Sequence, residues 1–167
     1  MSGTVLYIVD MQPGYPGSFN IIDEVIREIN LAKRRDDVVA FVTLMADSGY
    51  GKTHPQLLDT ARAGGYQKVL QTTKNGADGS NELMALLAQN NTTPRRVRVV
   101  GVNRGACVFN TVQGLIGLPE RKFKIEVVCD ATSDSFPLGQ HKWDNGGWAE
   151  KHYAEFAKHG NVKLLRI

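Results

Sequence analysis

The regular alternation of short apolar segments with amphipathic segments constrains the fold of this chain more than any other feature. Residues 5–9, 38–45 and 97–102 are rich in apolar side chains without strict alternation, whereas residues 21–29 carry them at helical spacing. Strands that are apolar on both faces are typical of parallel sheets covered by helices, joined by right-handed crossovers. The pattern therefore predicts an α/β fold, a doubly wound, mostly parallel sheet of about six strands with helices on both faces.

Capping residues, glycines and prolines suggest where the elements begin and end. Asn20 and Ser80 are predicted N-caps, and Pro55 suits the first turn of a helix. The predicted helices contain residues 21–29, 55–63, 83–87, 106–116 and 148–158, and the predicted strands contain residues 5–9, 38–45, 68–72, 97–102, 123–129 and 162–167. The least regular stretch, residues 130–147, is predicted to be a loop over the functional site.

Composition places the chain among globular proteins with a single domain, residues 1–167. Apolar residues make up 42% and charged residues 22%, as in ordinary domains, and the net charge of +3 is too weak to indicate a nucleic-acid partner. Two cysteines are too few for a disulfide scaffold. The sequence shows neither a signal peptide nor an apolar run long enough for a membrane, so we expect a cytoplasmic protein with reduced thiols.

Three chemically active side chains follow different strands of the predicted sheet. Asp10 comes directly after the first strand, Lys74 lies just beyond the third, and Cys107 begins the helix after the fourth. Asp130 follows the fifth predicted strand. Ligands in open α/β sheets bind outside the carboxyl ends of the strands. The sequence therefore predicts that an acid, an amine and a thiol meet at one edge of the sheet.

These three groups are sufficient for acyl transfer without a histidine. A helix N-terminus and a nearby ammonium favour the thiolate, so we expect Cys107 to be anionic at neutral pH. The Asp10 carboxylate can take the thiol proton and return it to a leaving group. Backbone N–H groups in the turn before Cys107 can bind a developing oxyanion. Cys129, within an apolar strand, is interpreted as a core residue.

The same residues lie in segments that resemble the isochorismatase-like cysteine hydrolase family. Residues 5–12, VLYIVDMQ, resemble the first strand and Asp-x-Gln motif of that family. Residues 99–108, VVGVNRGACV, with Thr111 after them, resemble its nucleophile segment, and residues 127–132, VVCDAT, resemble the strand that follows. The nucleophile segment is the most specific of these matches. Lys74 lies between the blocks, where the lysine of the family falls.

The resemblance implies roles for the catalytic residues. Asp10 would be the general base, Lys74 its electrostatic partner and Cys107 the nucleophile. It also implies a non-proline cis peptide bond between Val102 and Asn103. That bond would aim the N–H of Asn103, together with that of Cys107, at the oxyanion.

The resemblance leaves the substrate open. Residues 75–80, NGADGS, depart from the Ser-Ala-Phe stretch that often follows the lysine, so substrate preference is in doubt. Gln12, Tyr15 and Phe19, after the first strand, are predicted to contact the substrate. We expect a small molecule, cleaved by amidase or enol-ether hydrolase chemistry, and a homo-oligomer, because family members usually self-associate.

We expect no catalytic metal and no other cofactor. Nicotinamidase-type members of the family bind a metal through an Asp-x-His pair and a later histidine. Here Asp47 is followed by serine and glycine, and His54 is the only histidine nearby.

Two other functions compete with the hydrolase. Residues 46–53, ADSGYGKT, nearly match a phosphate-binding loop, with Gly49–Thr53 as its core and alanine at the first glycine. Asp130 could then hold magnesium in a nucleotide-binding protein. The chain could also be a catalytically inert oligomeric module of the same fold, although it retains Asp10, Lys74 and Cys107.

Overall fold

The computed structural model describes residues 3–119, 121–135, 143, 147–158 and 161–166. Strands and helices alternate along these ranges. The strands are β1 (Thr4–Val9), β2 (Val38–Leu44), β3 (Val69–Lys74), β4 (Arg96–Val102), β5 (Lys124–Ser133) and β6 (Val162–Leu165). The α-helices are α1 (Ile22–Arg34), α2 (Pro55–Arg62), α3 (Ser80–Gln89), α4 (Cys107–Gly117) and α5 (Trp148–Ala157). Within the described ranges, no helix combines the length and apolar character needed to span a bilayer.

The six strands form one parallel sheet in the order β3-β2-β1-β4-β5-β6. The predicted doubly wound α/β architecture is thereby confirmed. The chain moves outward from β1 through β2 and β3, and then continues on the other side of β1 with β4. The order of the strands reverses between β1 and β4, and a crevice opens at the carboxyl ends of strands at such a point.

The two faces of the sheet bury separate apolar clusters, because successive side chains of a strand point to opposite faces. Val5, Tyr7 and Val9 of β1 pack with α3, α4 and α5. Leu6 and Ile8 pack with α1 and α2 on the other face. Since β1 is fully covered on both sides, the residue that follows it can be held rigidly.

Gly101 allows β4 to approach β1 closely near the crevice. A side chain there would place its Cβ only 2.0 Å from the Val9 carbonyl oxygen, and the φ angle of 121° also favours glycine. The pairing of β4 with β5 shifts register between Val99 and Gly101. The end of β4 is therefore brought against the end of β1, and this places the nucleophile turn beside Asp10.

The predicted helix N-caps are wrong in position. Asn20 lies inside a short 3₁₀ helix, Pro16–Ile21, and α1 begins after it without a side-chain cap. Ser80 is the first residue of α3, and its N–H donates to the Asp78 carboxylate at 2.8 Å. In both cases the chain is already ordered by local turns before the helix begins, which spacing alone did not reveal.

Two strands are longer than predicted. β3 continues to Lys74, so this lysine ends the strand instead of following it. β5 continues to Ser133 because its pairing with β4 resumes beyond the bulge, where Thr132 lies opposite Gly101. Asp130 is consequently an exposed residue within β5 and does not belong to the site edge. Of the predicted loop 130–147, residues 136–142 and 144–146 lie outside the described residues, as does Ile167 of the last predicted strand.

Candidate active site

Asp10 and Lys74 form a fully buried ion pair. Asp10 directly follows β1 with a φ angle of 50°, a backbone conformation that non-glycine residues adopt mainly where surrounding contacts impose it. Its N–H donates to the Val42 carbonyl oxygen of β2 at 2.9 Å. The Asp10 Oδ2 atom lies 2.9 Å from Lys74 Nζ, and neither side chain is exposed to solvent. Two buried charges of opposite sign are therefore held in direct contact.

The Lys74 ammonium is held by one ion-pair contact and two hydrogen bonds. Besides its contact with Asp10, its Nζ atom donates to the carbonyl oxygens of Gly76 at 2.9 Å and Ala77 at 3.1 Å. The loop that supplies these carbonyls is itself tethered to the sheet, because the Tyr7 hydroxyl donates to the Gly79 carbonyl at 2.7 Å. These three contacts hold the buried ammonium in one position.

Cys107 completes the cluster. It is the first residue of α4 and only 7% exposed, and the charges of Asp10 and Lys74 both act on its thiol. The structure thus brings the acid, the amine and the thiol together at the carboxyl ends of β1, β3 and β4. Asp130, predicted at the same edge, is not among them.

The expectation that Cys107 is anionic at neutral pH is wrong for the substrate-free protein. Burial and, to a smaller extent, the Asp10 charge raise the pKa of its thiol to about 11, and Lys74 only partly opposes both effects. The sequence argument counted the groups that favour the thiolate. It omitted the loss of solvation, which the tertiary structure imposes.

Burial also raises the pKa of Asp10 above its ordinary value, and the Lys74 ammonium only partly opposes this shift. A carboxylate with a raised pKa is a stronger base, closer to the pKa that suits proton transfer near neutral pH. Asp10 is therefore a better acceptor for the thiol proton than an ordinary carboxylate.

Lys74→Met is expected to destabilise the protein by about 3–5 kcal/mol, because it leaves the buried Asp10 carboxylate without its counterion. Removing the ammonium raises the pKa of Asp10 further. A carboxyl group with a raised folded-state pKa contributes stability below its unfolded pKa of about 3.9 and loses it as the pH rises. The deficit relative to the wild type, measured by urea unfolding, should therefore grow between about pH 4 and pH 7.

Lys68→Met is the matched control, because it breaks an exposed ion pair with Asp36. It should cost less than about 1 kcal/mol. A deficit for Lys74→Met as small as that of the control, or one that does not change with pH, would contradict the buried pair.

The turn before Cys107 is clamped by the end of β5. Hydrogen bonds with backbone N–H donors join the two segments, among them Arg104 N–H to Ser133 O at 2.8 Å, Gly105 N–H to Asp134 Oδ1 at 2.9 Å, and Ser135 N–H to Asn103 Oδ1 at 2.8 Å. The longer β5 therefore serves to fix the backbone around the nucleophile.

Two amide groups of this turn are available to a ligand. The peptide bond between Val102 and Asn103 is cis, at the position that the family resemblance implies. The N–H groups of Ala106 and Val108 both donate to the Asn103 carbonyl oxygen at 3.0 Å. Within the described part of the chain, the N–H groups of Asn103 and Cys107 donate to no protein acceptor. These are the two donors predicted to bind an oxyanion.

Gln12 has a structural position instead of the predicted substrate contact. Its Oε1 atom accepts the Leu44 N–H at 3.0 Å, and its Nε2 atom donates to the carbonyl oxygens of Leu44 and Gly51. The side chain is completely buried. It connects the loop after β1 with the end of β2, so its amide is not free to bind a substrate.

Tyr15 and Phe19, the other predicted substrate contacts, have different surroundings. Tyr15 is buried and stacks on Tyr50 with ring centroids 4.2 Å apart, and burial raises the pKa of its hydroxyl. Phe19 is exposed and meets the His54 ring edge-on, with centroids 4.7 Å apart. Tyr50 was missed at the sequence level because nothing in its glycine-rich segment indicates where its ring packs.

The geometry of Gly49–Thr53 does not suit a phosphate loop. Such a loop places its lysine and hydroxyl residue at a helix N-terminus, where free N–H groups bind phosphate. Here α2 begins only at Pro55, which has no N–H, and Lys52 is exposed in the preceding loop. Asp130 lies on β5, three strand positions from β2, or about 14 Å away across the sheet. The nucleotide-binding alternative therefore lacks both a phosphate-binding loop at a helix N-terminus and an acidic residue placed beside it to hold magnesium.

Asp47 and His54, the residues considered as metal ligands, have different surroundings. Asp47 is exposed, whereas His54 is buried with its Nε2 atom 2.7 Å from Ser18 Oγ. Burial lowers the pKa of His54. No group of three or more His, Cys, Asp or Glu side chains in the described ranges is placed to hold a metal ion.

A parallel sheet in this strand order, with an acid, an amine and a thiol meeting at its carboxyl edge, agrees with the fold that the family resemblance implies. No protein-family model and no curated protein matches the sequence. Solved structures do match the fold, over nearly the full length of the chain.

The nicotinamidase SaPncA from Staphylococcus aureus matches with a TM-score of 0.72 and 21% identity, over 99% of this chain and 100% of that one. The MAR1 ribonuclease from Caenorhabditis elegans gives 0.72 and 17%, over 97% and 77%. The YcaC gene product from Escherichia coli, an octameric hydrolase of unknown specificity, gives 0.73 and 16%, over 99% and 77%. These likenesses confirm the predicted isochorismatase-like fold, and at such identities they concern the fold alone.

Proposed function

We propose that this protein is a cysteine hydrolase of the isochorismatase-like family that cleaves an amide or a related bond in a small molecule. The observation that carries the proposal is the buried Asp10–Lys74 pair, whose charged atoms are 2.9 Å apart and whose charges act on the buried Cys107 thiol. The likeness to a nicotinamidase supports an amide substrate. The nearly complete burial of the three side chains supports a small one.

Charge balance explains how a thiol with a raised pKa can act as a nucleophile. With Asp10 ionised, Lys74 protonated and Cys107 neutral, the net charge of the cluster is zero. Moving the thiol proton to Asp10 keeps the net charge at zero, whereas releasing it to solvent would leave a buried net charge of minus one. A buried unpaired charge is strongly disfavoured. Cys107 is therefore activated by proton transfer to Asp10 when the substrate is bound.

The acylation step follows from this transfer. The Cys107 sulfur attacks the carbonyl carbon, and the N–H groups of Asn103 and Cys107 bind the oxygen as it becomes negative. The carbon–nitrogen bond then breaks, and protonated Asp10 gives its proton to the departing nitrogen. The products of this step are an amine, or ammonia from a primary amide, and a thioester on Cys107.

The deacylation step uses the same residues with water. Asp10, again a carboxylate, takes a proton from the water molecule that attacks the thioester carbonyl. The carbon–sulfur bond breaks and the sulfur recovers the proton from Asp10. Lys74 stays protonated throughout and stabilises each anionic state of its neighbours.

A panel of small primary amides, assayed for ammonia release, tests the function, with the Cys107→Ala variant as the blank. We expect release from at least one amide by the wild type and none by the variant. Because one structural relative is a ribonuclease, the same preparations should be incubated with a labelled RNA. Cleavage of RNA but of no amide, or equal ammonia release by both proteins, would contradict the proposal.

Self-association is a further part of the proposal. One protein with this fold is octameric. On this chain Trp148 stacks on His152 with centroids 4.1 Å apart, and Phe109 packs beside them between α4 and α5. Aromatic side chains of this kind are common in subunit interfaces. Light scattering should give a mass at least twice the 18.4 kDa of a single chain, and a mass of one chain would contradict self-association.

A further inference from the structure

We propose that Tyr7 and Thr111 are positioning residues, which keep the Lys74 ammonium in place within the catalytic cluster by fixing Gly79. The Tyr7 hydroxyl donates to the Gly79 carbonyl oxygen at 2.7 Å. The Gly79 N–H donates to Thr111 Oγ1 at 3.0 Å, and both side chains are fully buried. Together these two hydrogen bonds form the Gly79 anchor. The inference rests on the proposed function and deepens it.

Gly79 lies at the end of the loop that surrounds the Lys74 ammonium. Lys74 ends β3, and its Nζ atom donates to the carbonyl oxygens of Gly76 at 2.9 Å and Ala77 at 3.1 Å. The loop therefore starts at the backbone of the lysine and folds back over the charged end of its side chain. Residues 75–79 then lead into α3, which begins at Ser80. The Gly79 anchor fixes this loop just before the helix begins.

The space around Gly79 is filled by the groups that the anchor brings together. A Cβ at this position would lie 2.9 Å from the Tyr7 hydroxyl oxygen and 3.5 Å from Thr111 Oγ1. It would also lie 3.2 Å from Lys74 Cδ. The stem of the lysine thus passes beside the same glycine that the two hydroxyl groups hold. A movement of Gly79 would therefore reach the lysine through packing as well as through the loop carbonyls.

The anchor joins the lysine loop to the elements that carry the other two members of the cluster. Thr111 lies on α4 four residues after Cys107, and residues four apart lie on the same face of a helix. Tyr7 lies on β1, three residues before Asp10. Lys74 comes from β3, two strand positions away from β1. The ammonium is thus positioned from β1 and α4 and not only from its own strand.

The position of the ammonium matters because its effect on the thiol depends on distance. The charge of Lys74 lowers the pKa of Cys107, against burial and the charge of Asp10. An interaction between charges weakens as the groups move apart and as water enters between them. Release of Gly79 should therefore raise the pH at which the thiol reacts, although every member of the cluster is still present.

Tyr7→Phe and Thr111→Val test the inference, because each removes one hydroxyl of the anchor and keeps the shape of the side chain. The assay is the rate of Cys107 alkylation by iodoacetamide as a function of pH, in a Cys129→Ala background that leaves a single thiol. In both variants we expect alkylation below the midpoint to slow about threefold to tenfold and the midpoint to rise by about half to one pH unit. Thr111→Ser keeps a hydroxyl and should restore the profile of the parent.

Tyr66→Phe is the matched control. It also removes a tyrosine hydroxyl that donates to a backbone carbonyl, but that carbonyl belongs to Asp37, directly before β2 at the opposite end of the sheet. Its alkylation profile should match that of the parent, even if its stability falls as much as that of Tyr7→Phe.

Several outcomes would overturn the inference. An unchanged midpoint in Tyr7→Phe or in Thr111→Val is one of them, and a Thr111→Ser profile shifted as far as that of Thr111→Val is another. Faster alkylation in the first two variants would show that the site had merely opened to the reagent. Since alkylation needs no substrate, a raised midpoint together with a silent amide panel would support the Gly79 anchor and reject the proposed hydrolase.

Discussion

Cys107→Ala is expected to reduce turnover by about 10⁴- to 10⁶-fold, the size of effect that follows loss of a nucleophile. No other group in the cluster can form the covalent intermediate, because Asp10 and Lys74 are tied to each other and have no exposed surface. The substitution removes one buried sulfur atom and should cost only about 1–2 kcal/mol of stability. Steady-state ammonia release and a urea unfolding curve measure the two quantities.

Cys129→Ala provides the matched control for this prediction. Both cysteines are free and buried, and burial raises the pKa of Cys129 to about 11 as well. The charged neighbours of Cys129 include Arg166 and Asp130, so it lacks the carboxylate–ammonium pair that activates Cys107. We expect Cys129→Ala to keep full turnover with a comparable loss of stability. Substantial residual activity in Cys107→Ala would remove the covalent mechanism.

Asp10→Asn is expected to change turnover and thiol reactivity in opposite directions. Turnover should fall by about 10²- to 10⁴-fold, because the general base is lost in both steps. The pKa of Cys107 should fall below about 11, because the carboxylate charge that raises it is gone while Lys74 remains. Alkylation by iodoacetamide at neutral pH should therefore become faster in a variant that hydrolyses substrate more slowly.

The variant also leaves the Lys74 ammonium buried without its carboxylate, which should cost about 3–5 kcal/mol of stability. Circular dichroism must first show that the protein is folded under the assay conditions. The double variant Asp10→Asn/Lys74→Met removes both charges and should recover part of that stability. In the double variant the alkylation midpoint should rise again, because the cation is absent. A midpoint in Asp10→Asn that is unchanged or higher would show that the carboxylate does not act on the thiol.

Much of the architecture was predictable because the relevant signals are local. Apolar segments without alternation indicate strands covered on both faces, and the parallel sheet with helices on each side follows from them. The three reactive side chains could also be named in advance. Each follows or ends a strand, and parallel strands bring their carboxyl ends to the same edge.

The local errors have a common origin. Asn20, Ser80 and the end of β5 were misplaced because short turns and a shifted register depend on contacts with distant segments. Gln12 was assigned to the substrate because a polar residue beside a site has no local sign of being fully hydrogen-bonded to a neighbouring strand. The spacing of residues in the sequence predicts which face of a strand or helix a residue lies on. It does not predict which groups the polar atoms of that residue contact there.

By itself the sequence determined the kind of sheet and the identity of the acid, the amine and the thiol. Only the tertiary structure decided how Lys74 of β3 reaches Asp10, which follows β1 two strand positions away. The long lysine side chain spans this separation of about 10 Å while it stays buried. It also decided that burial raises the pKa of the Cys107 thiol in the resting protein. The physical reason is that a pKa depends on how much water surrounds a group as well as on the charges near it, and the extent of burial is set by the whole folded chain.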